Sequence, residues 1–398
     1  MKYSTLLFFT LIAFLFSCQV ETTESTETTT TETAKATFVA NPKAVPKQEV
    51  KTLEIGASAP DFNLPSVDGD YHSLDEYRDA KILVVIFTCN HCPTAQAYER
   101  RMIDFTKDYK DKGVQVVAIS PNSPLGLLYE ELGYSDLNDD FEDMQLRAEH
   151  LEYNFPYLYD GDTHEASLQY GPVATPHAFV FDAERKLQYV GRLDKVEKPG
   201  GANADDLRAA VDALLEDKLP EVATTKTFGC STKWAWKTEY KDKVEKDWAE
   251  KEVTLEQLDE AGIQELIANE DSEKLRLINV WATWCGPCII EYPDFITLQR
   301  MYGARDFEFI SISADKAAQQ EKALQFLQKE NSAVKNYLFD NDDKYALIEA
   351  IDEDWNGALP YTMLIEPNGN VVWKHQGSVD FLELKRAIVD HPMIGRYF

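Results

Sequence analysis

Two short stretches carry residue types that could do chemistry. Residues 88–93 read TCNHCP and set Cys89 and Cys92 three apart; residues 281–288 read WATWCGPC and set Cys285 and Cys288 at the same spacing. Thiols at i and i+3 can ligate a metal, staple a loop, attach a haem or cycle between dithiol and disulfide. Haem attachment needs a His directly after the second Cys, and Pro93 and Ile289 stand there instead. Between the thiols the two pairs differ. Gly286 and Pro287 bring no charge, whereas Asn90 and His91 put an imidazole next to Cys92.

The elements around the two pairs repeat one plan. Residues 81–88 (KILVVIFT) form a continuous apolar, β-branched run of the kind a buried parallel strand needs, and it ends at Cys89. Tyr98, Met102, Phe105 and Tyr109 then make one stripe of a helix. Strands are expected at 114–120 and 156–160, a hairpin across 174–192, and a closing helix at 205–218. The second half replays this order. It has a strand at 275–283, a helix opening at the Cys285/Cys288 pair, a strand at 307–315 and a helix at 316–330. A hairpin turning on Pro-Asn-Gly and a last helix at 380–390 complete it. Pro176 lies 84 residues after Cys92 and Pro360 lies 72 after Cys288, which places an insertion in the polar stretch 121–150. Strand–helix alternation of this kind predicts an α/β fold in which each sheet is covered by helices.

Length and charge bound the rest. At 398 residues the chain exceeds one ordinary core, and 44% hydrophobic with 12% aromatic residues is a globular composition. With 40 Lys and Arg against 69 Asp and Glu, the formal net charge of −29 argues against nucleic acid as a partner. Lys2 precedes an apolar run at 6–16 (LLFFTLIAFLF), too short for a ~30 Å hydrocarbon core but suited to a signal peptide. Residues 21–33 (ETTESTETTTTET) cannot build a core and read as a disordered tether.

The run ending Leu15-Phe16-Ser17-Cys18 resembles the lipobox of bacterial lipoproteins, which implies a lipid on Cys18 and a place in the cell envelope, facing the periplasm or the cell surface. WATWCGPC followed by Glu291 and Pro293 resembles TlpA/ResA-type thioredoxin domains. Residues 55–69 (IGASAPDFNLPSVDG) and 170–182 (YGPVATPHAFVFD) resemble the AhpC/TSA-like redoxins of the same superfamily. The expected fold is therefore two tandem thioredoxin-like domains, each a central mixed β-sheet flanked by helices. The expected layout is a signal peptide at 1–17, a tether at 18–50, a redoxin domain at 51–220, a connector with Cys230 at 221–252 and a TlpA-like domain at 253–398.

The resemblance implies a thiol–disulfide oxidoreductase needing no cofactor beyond the redox-active disulfides Cys89–Cys92 and Cys285–Cys288. A helix N-terminus stabilises a thiolate, so Cys89 and Cys285 are expected to attack, with Cys92 and Cys288 resolving. His91 stands where strongly oxidising DsbA-type motifs carry His, and this predicts that the first pair is the more oxidising. Thr175-Pro176 and Leu359-Pro360 match the cis-proline loops of the superfamily, whose preceding backbone pairs with the substrate chain. Trp284 completes the second motif. Asn279 stands where thioredoxin keeps a buried Asp, which leaves Glu291 or water to move a proton, although Glu291 is better read as a first-turn carboxylate facing the helix dipole. The first domain lacks the Pro-x-x-x-Thr-x-x-Cys motif of true peroxiredoxins. Cys230, in FGCSTKW, is either a reactive thiol or a small buried side chain; related redoxins carry a similar segment that folds back on its own domain.

Implied partners are protein disulfides or dithiols, among them misfolded secreted proteins, apocytochrome cysteines or a peroxidase, with a membrane electron donor of the DsbD/CcdA kind. The alternative is that the first domain is a peroxiredoxin-like or Sco-like Cu(I)-binding module, with Cys89, Cys92 and His177 as ligands, beside a single reductase domain. His72, His150 and His164 are expected at the surface.

Overall fold

The computed structural model describes Met1, residues 38–198 and residues 200–396. Cys18, the apolar run 6–16 and the Thr/Glu-rich stretch 21–33 lie outside the described residues. Among the described residues no helix is long and apolar enough to cross a membrane.

A small antiparallel hairpin, β1 (Asn63–Pro65) and β2 (Tyr71–Ser73), precedes the first sheet. That sheet is built from β3 (Ile82–Phe87), β4 (Val114–Ser120), β5 (Tyr157–Tyr159), β7 (His177–Phe181) and β8 (Leu187–Gly191), in the order β5-β4-β3-β7-β8. β3, β4 and β5 run parallel, while β7 and β8 join antiparallel. The two-residue β6 (Ala174–Thr175) stands just before Pro176. Helices α1 (Pro93–Tyr109), α2 (Phe141–His150), α3 (Glu165–Tyr170) and α4 (Asp205–Leu215) connect these strands. The unbroken apolar run of β3 serves both faces: Ile82, Val84 and Ile86 enter one core, Leu83, Val85 and Phe87 the other.

After β9 (Cys230–Ser231) and α5 (Thr238–Ala249) the plan recurs. The second sheet uses β10 (Glu256–Leu258), β11 (Leu275–Trp281), β12 (Phe307–Ser313), β13 (Lys335–Phe339), β14 (Tyr361–Ile365) and β15 (Val371–Gln376). Its order, β10-β13-β12-β11-β14-β15, repeats the first with one strand added at the edge. Helices α6 (Glu260–Ala268), α7 (Gly286–Tyr302), α8 (Gln320–Lys329), α9 (Lys344–Ile351) and α10 (Phe381–Val389) cover it. β11 likewise divides its side chains, Leu275 and Leu277 to one core, Ile278 and Val280 to the other.

The stretch expected as a polar insertion does more than bulge from the surface. Leu127 and Leu132 enter the core of the second domain beside Leu298 and Met301. The Tyr302 hydroxyl donates to the Ser135 carbonyl (2.8 Å) and Arg305 to that of Gly133 (2.8 Å). Asp136, 2% exposed, accepts from Arg386 (3.1 Å) and Arg396 (2.9 Å), both from the C-terminal end of the chain. Residues 38–398 thus form one compact unit.

The segment expected as a connector is also partly re-assigned. β9 pairs antiparallel with β6, Cys230 opposite Thr175 and Ser231 opposite Ala174. The Thr232 hydroxyl donates to Pro172 O (3.0 Å), Lys233 N to Asn122 Oδ1 (2.8 Å) and Ala235 N to His164 Nε2 (2.9 Å). This arm packs on the first domain, and α5 carries the chain on to the second. His164 is therefore not at the surface. It is fully buried, and burial pulls its pKa down to about 4. The neutral ring donates from Nδ1 to Pro121 O (3.0 Å) while Nε2 holds the arm.

Candidate functional site: two thiol pairs

In the second domain, β11 delivers the chain to an exposed rim. Cys285 is the N-cap of α7, and its Sγ accepts from the Cys288 backbone N–H at 3.3 Å. Cys285 and Cys288 are joined in a disulfide, Cα atoms 5.3 Å apart. The sulfurs are mostly covered, but Trp284 is 61% and Ile290 80% exposed, and Gly286 and Pro287 are exposed between them. Asp315 ties down the turn before the motif through Thr283 N (2.8 Å) and Oγ1 (2.7 Å). The Leu359–Pro360 bond is cis, as the resemblance implied. A cleft lined by Trp284, Asp315, Tyr345, Trp355 and Leu359 adjoins it.

Glu291 is not a solvated first-turn carboxylate. It sits one turn beyond Cys288 on the same helix face, only 6% exposed, with Oε2 accepting from Val379 N at 3.1 Å. Burial pushes its pKa up to about 7, against the Val379 hydrogen bond. Such a group can give or take a proton near neutrality. Asn279 is committed elsewhere: its amide donates to Thr362 Oγ1 across the sheet (3.0 Å).

The first pair is built differently. Here α1 begins after the second cysteine, so Cys92 is the N-cap and Pro93 the first helical residue. Thr88, Cys89, Asn90, His91 and Cys92 are all buried. Cys89 Sγ lies 3.0 Å from Thr175 Oγ1, and Cys92 Sγ lies 3.2 Å from the Thr175 carbonyl. The Thr175–Pro176 bond is cis. The Cys230 backbone N–H donates to Cys92 Sγ at 3.2 Å.

The electrostatics favour ionisation of Cys92 over Cys89. Burial raises the Cys89 pKa well above its ordinary value, and its hydrogen bond to Cys92 adds to this. Burial also opposes ionisation of Cys92, yet hydrogen bonds from the Cys230 and Cys89 thiols, the charge on His91 and the Ala95 N–H outweigh it. Of the two thiols, Cys92 is the one whose surroundings favour ionisation. The physical reason is the later helix start: the N-terminal N–H groups and dipole act on Cys92.

His91 carries the charge because of a residue the sequence did not single out. Its Nδ1 lies 2.5 Å from Asp139 Oδ2, and the other carboxylate oxygen accepts from the backbone N–H groups of Asn90 (2.8 Å) and His91 (2.9 Å). Asn122 Nδ2 adds a bond at 2.7 Å. Burial lowers the His91 pKa, but the Asp139 charge and hydrogen bond together raise it above the ordinary value. Asp139 lies in an acid-rich run of the insertion, with no spacing that ties it to position 91.

The copper ligand set is not assembled. His177 is buried against the Phe179 ring (centroids 4.6 Å) and held neutral by burial, its pKa pulled down to about 4; its Nδ1 accepts from Val173 N at 3.4 Å. The described residues that could share an ion are Cys89, His91 and Asp139. In that group Asp139 already accepts four hydrogen bonds and is paired with His91, and a carboxylate does not suit Cu(I). The donor set fits an ion pair beside a thiol, not a copper centre.

Two stretches match known families: residues 55–190 match the AhpC/TSA family and residues 249–388 match Redoxin. The chain belongs to the thioredoxin superfamily. Among curated relatives of this superfamily protein are the thiol:disulfide interchange protein DsbE of Allochromatium vinosum, 28% identical over 31% of this chain and 62% of that one, and the thiol-disulfide oxidoreductase ResA of Oceanobacillus iheyensis, 27% identical over 34% and 67%. A putative peroxiredoxin of Mycobacterium tuberculosis is 38% identical over 18% of this chain and 46% of its own. The chain spans about half to two thirds of the length of the curated relatives it matches. Among solved structures, a hypothetical protein from Sinorhizobium meliloti 1021 aligns at 32% identity over 47% of this chain and 98% of that chain, with a TM-score of 0.41.

Proposed function

We propose that this protein is a thiol–disulfide oxidoreductase that exchanges electrons with protein dithiols and disulfides through two cysteine pairs. The observation that carries the reading is the Cys285–Cys288 disulfide at the start of α7, beside the cis Leu359–Pro360 bond and under an exposed apolar rim of Trp284 and Ile290. In the reduced state Cys285, at the helix N-terminus, attacks a substrate disulfide and forms a mixed disulfide; one substrate sulfur leaves as thiolate. Cys288 then attacks the Cys285 sulfur, closes the internal disulfide and frees the second substrate thiol. Glu291 accepts the Cys288 proton in this step. The Leu359 backbone, with which no strand pairs among the described residues, and the Trp284 rim offer the substrate chain its contacts.

In the first domain Cys92 is the ionised sulfur, and the His91–Asp139 pair stabilises its reduced form. This favours a more oxidising pair than Cys285–Cys288, with electrons passing from the second pair to the first. The proposed setting is the cell envelope, with Cys18 lipidated and a DsbD/CcdA-type membrane donor recharging the thiols. A Cys18→Ala variant should leave the membrane fraction.

The test is single-turnover reduction of a disulfide peptide by the reduced full chain. Wild type should reduce about one equivalent rapidly, and Cys285→Ser should lose this by at least ~100-fold, because Cys285 is the attacking sulfur at the α7 N-terminus and the first pair is the more oxidising of the two. Equal rates in the two would refute the assignment.

A further inference from the structure

The two cis-proline edges are treated differently. No strand pairs with the residues before Pro360 among the described residues, whereas the edge before Pro176 is covered by the chain's own β9. The fit is close. Gly229 has φ +128°, and a Cβ there would fall 2.0 Å from the Thr175 carbonyl oxygen, so only glycine lets the arm lie this near. Anchors at Val190–Thr224 on one side and at Thr232, Lys233 and Ala235 on the other hold the arm on that edge.

The geometry delivers a third sulfur. Cys230 packs with Cys89 and Cys92, and its backbone N–H donates to Cys92 Sγ at 3.2 Å. Cys92 therefore stands between two thiols, Cys89 and Cys230. Of the three, Cys89 and Cys92 are buried and only Cys230 is partly exposed.

We propose that Cys230 is a third redox thiol of the first domain, presented on β9 in the manner of a built-in substrate, and that Cys92 alternates between a disulfide with Cys89 and one with Cys230. This rests on the reading of Cys89 and Cys92 as a redox pair. Starting from the Cys89–Cys92 disulfide, the Cys230 thiolate attacks Cys92 Sγ. The Cys92–Cys230 bond forms, the Cys89–Cys92 bond breaks, and Cys89 leaves as thiolate and takes up the proton that Cys230 gave up. The step is an exchange with no net oxidation. It moves the disulfide from a sealed pair to one that includes the sulfur solvent reaches, and gives the covered site a route to outside partners.

The experiment is disulfide mapping of the full chain. Reduced protein is equilibrated in glutathione and glutathione disulfide, quenched in acid, alkylated and digested with trypsin. Cys89 and Cys92 share the peptide 82–100, and Cys230 lies on 227–233, so a Cys92–Cys230 bond links two peptides. The expected result is the linked pair in wild type, enriched in Cys89→Ser and absent in Cys230→Ser. In Gly229→Ala, which displaces the arm without altering any thiol, the linked pair should fall about tenfold and alkylation of Cys92 in the reduced protein should quicken by a similar factor. If Cys89–Cys92 forms reversibly but the linked pair is absent from both wild type and Cys89→Ser, the inference is overturned and the redox reading stands. If neither bond forms, both fail.

Discussion

The Asp139 carboxylate lies 2.5 Å from Nδ1 of His91, with both side chains sealed from solvent, one from the CxxC loop and the other from an insertion 48 residues further on. A buried imidazole left alone would stay neutral; this carboxylate holds it charged beside Cys92. The oxidising character expected of the first pair therefore depends on a residue outside the motif.

Asp139→Asn should raise the Cys92 pKa by about one unit or more, because His91 loses the charge that favours its protonated form. Thiolate absorbance near 240 nm, titrated on the reduced chain with Cys285 and Cys288 replaced by Ser, reads this directly. His91→Ala should shift it in the same direction. An unchanged titration in both variants would assign the thiolate to the Cys230 and helix N–H contacts alone.

Glu291 gives stability a pH dependence of known sign. Its folded pKa, about 7, lies above its ordinary value of 4.5, so between these the folded state holds more proton than the unfolded one. Its contribution is fully present below about 4.5 and is lost as pH rises through about 7. Glu291→Gln should therefore match wild type near pH 4.5 and be the more stable at pH 8 by on the order of 1 kcal/mol, measured by urea unfolding. The same variant should slow closure of the Cys285–Cys288 disulfide, which separates its role in proton transfer from its effect on stability.

Asp136 joins the two domains, accepting from Arg386 and Arg396 and lying 3.6 Å from Arg147. Removing one partner from a buried ionic group leaves the others uncompensated, at a cost of about 3–5 kcal/mol. Asp136→Ala should lose roughly that much and split a single calorimetric unfolding transition in two. A single transition at an unchanged temperature would mean that the Leu127 and Leu132 contacts suffice to hold the domains together.

Both sheets were legible in the sequence because their central strands bury both faces: residues 82–87 are an uninterrupted apolar run, and residues 275–281 are apolar except for Arg276 and Asn279. The first of the two helices was legible from its apolar stripe at Tyr98, Met102, Phe105 and Tyr109. Which of Cys89 and Cys92 its surroundings favour as a thiolate was not, since the difference lies in whether the helix starts after the first or the second cysteine, and Pro93 is the local mark of it. The insertion read only as a polar stretch, yet Ser135, Asp136 and Asp139 are buried. Their partners (Tyr302, Arg386 and His91) are distant in the chain, and sequence distance hides such pairing. His164 misled in the same way, its ring satisfied by Pro121 and Ala235.

On the proposed reading, two redox pairs of unequal potential share one chain. The most direct measurement is the reduction potential of each pair in glutathione and dithiothreitol buffers, read by thiol alkylation. One variant carries Cys285→Ser and Cys288→Ser, the other Cys89→Ser and Cys92→Ser. The account predicts two reversible disulfides, with Cys89–Cys92 the higher by about 50 mV, which for two electrons is roughly 2.3 kcal/mol. Equal potentials, a lower value for Cys89–Cys92, or no reversible disulfide between them would contradict it.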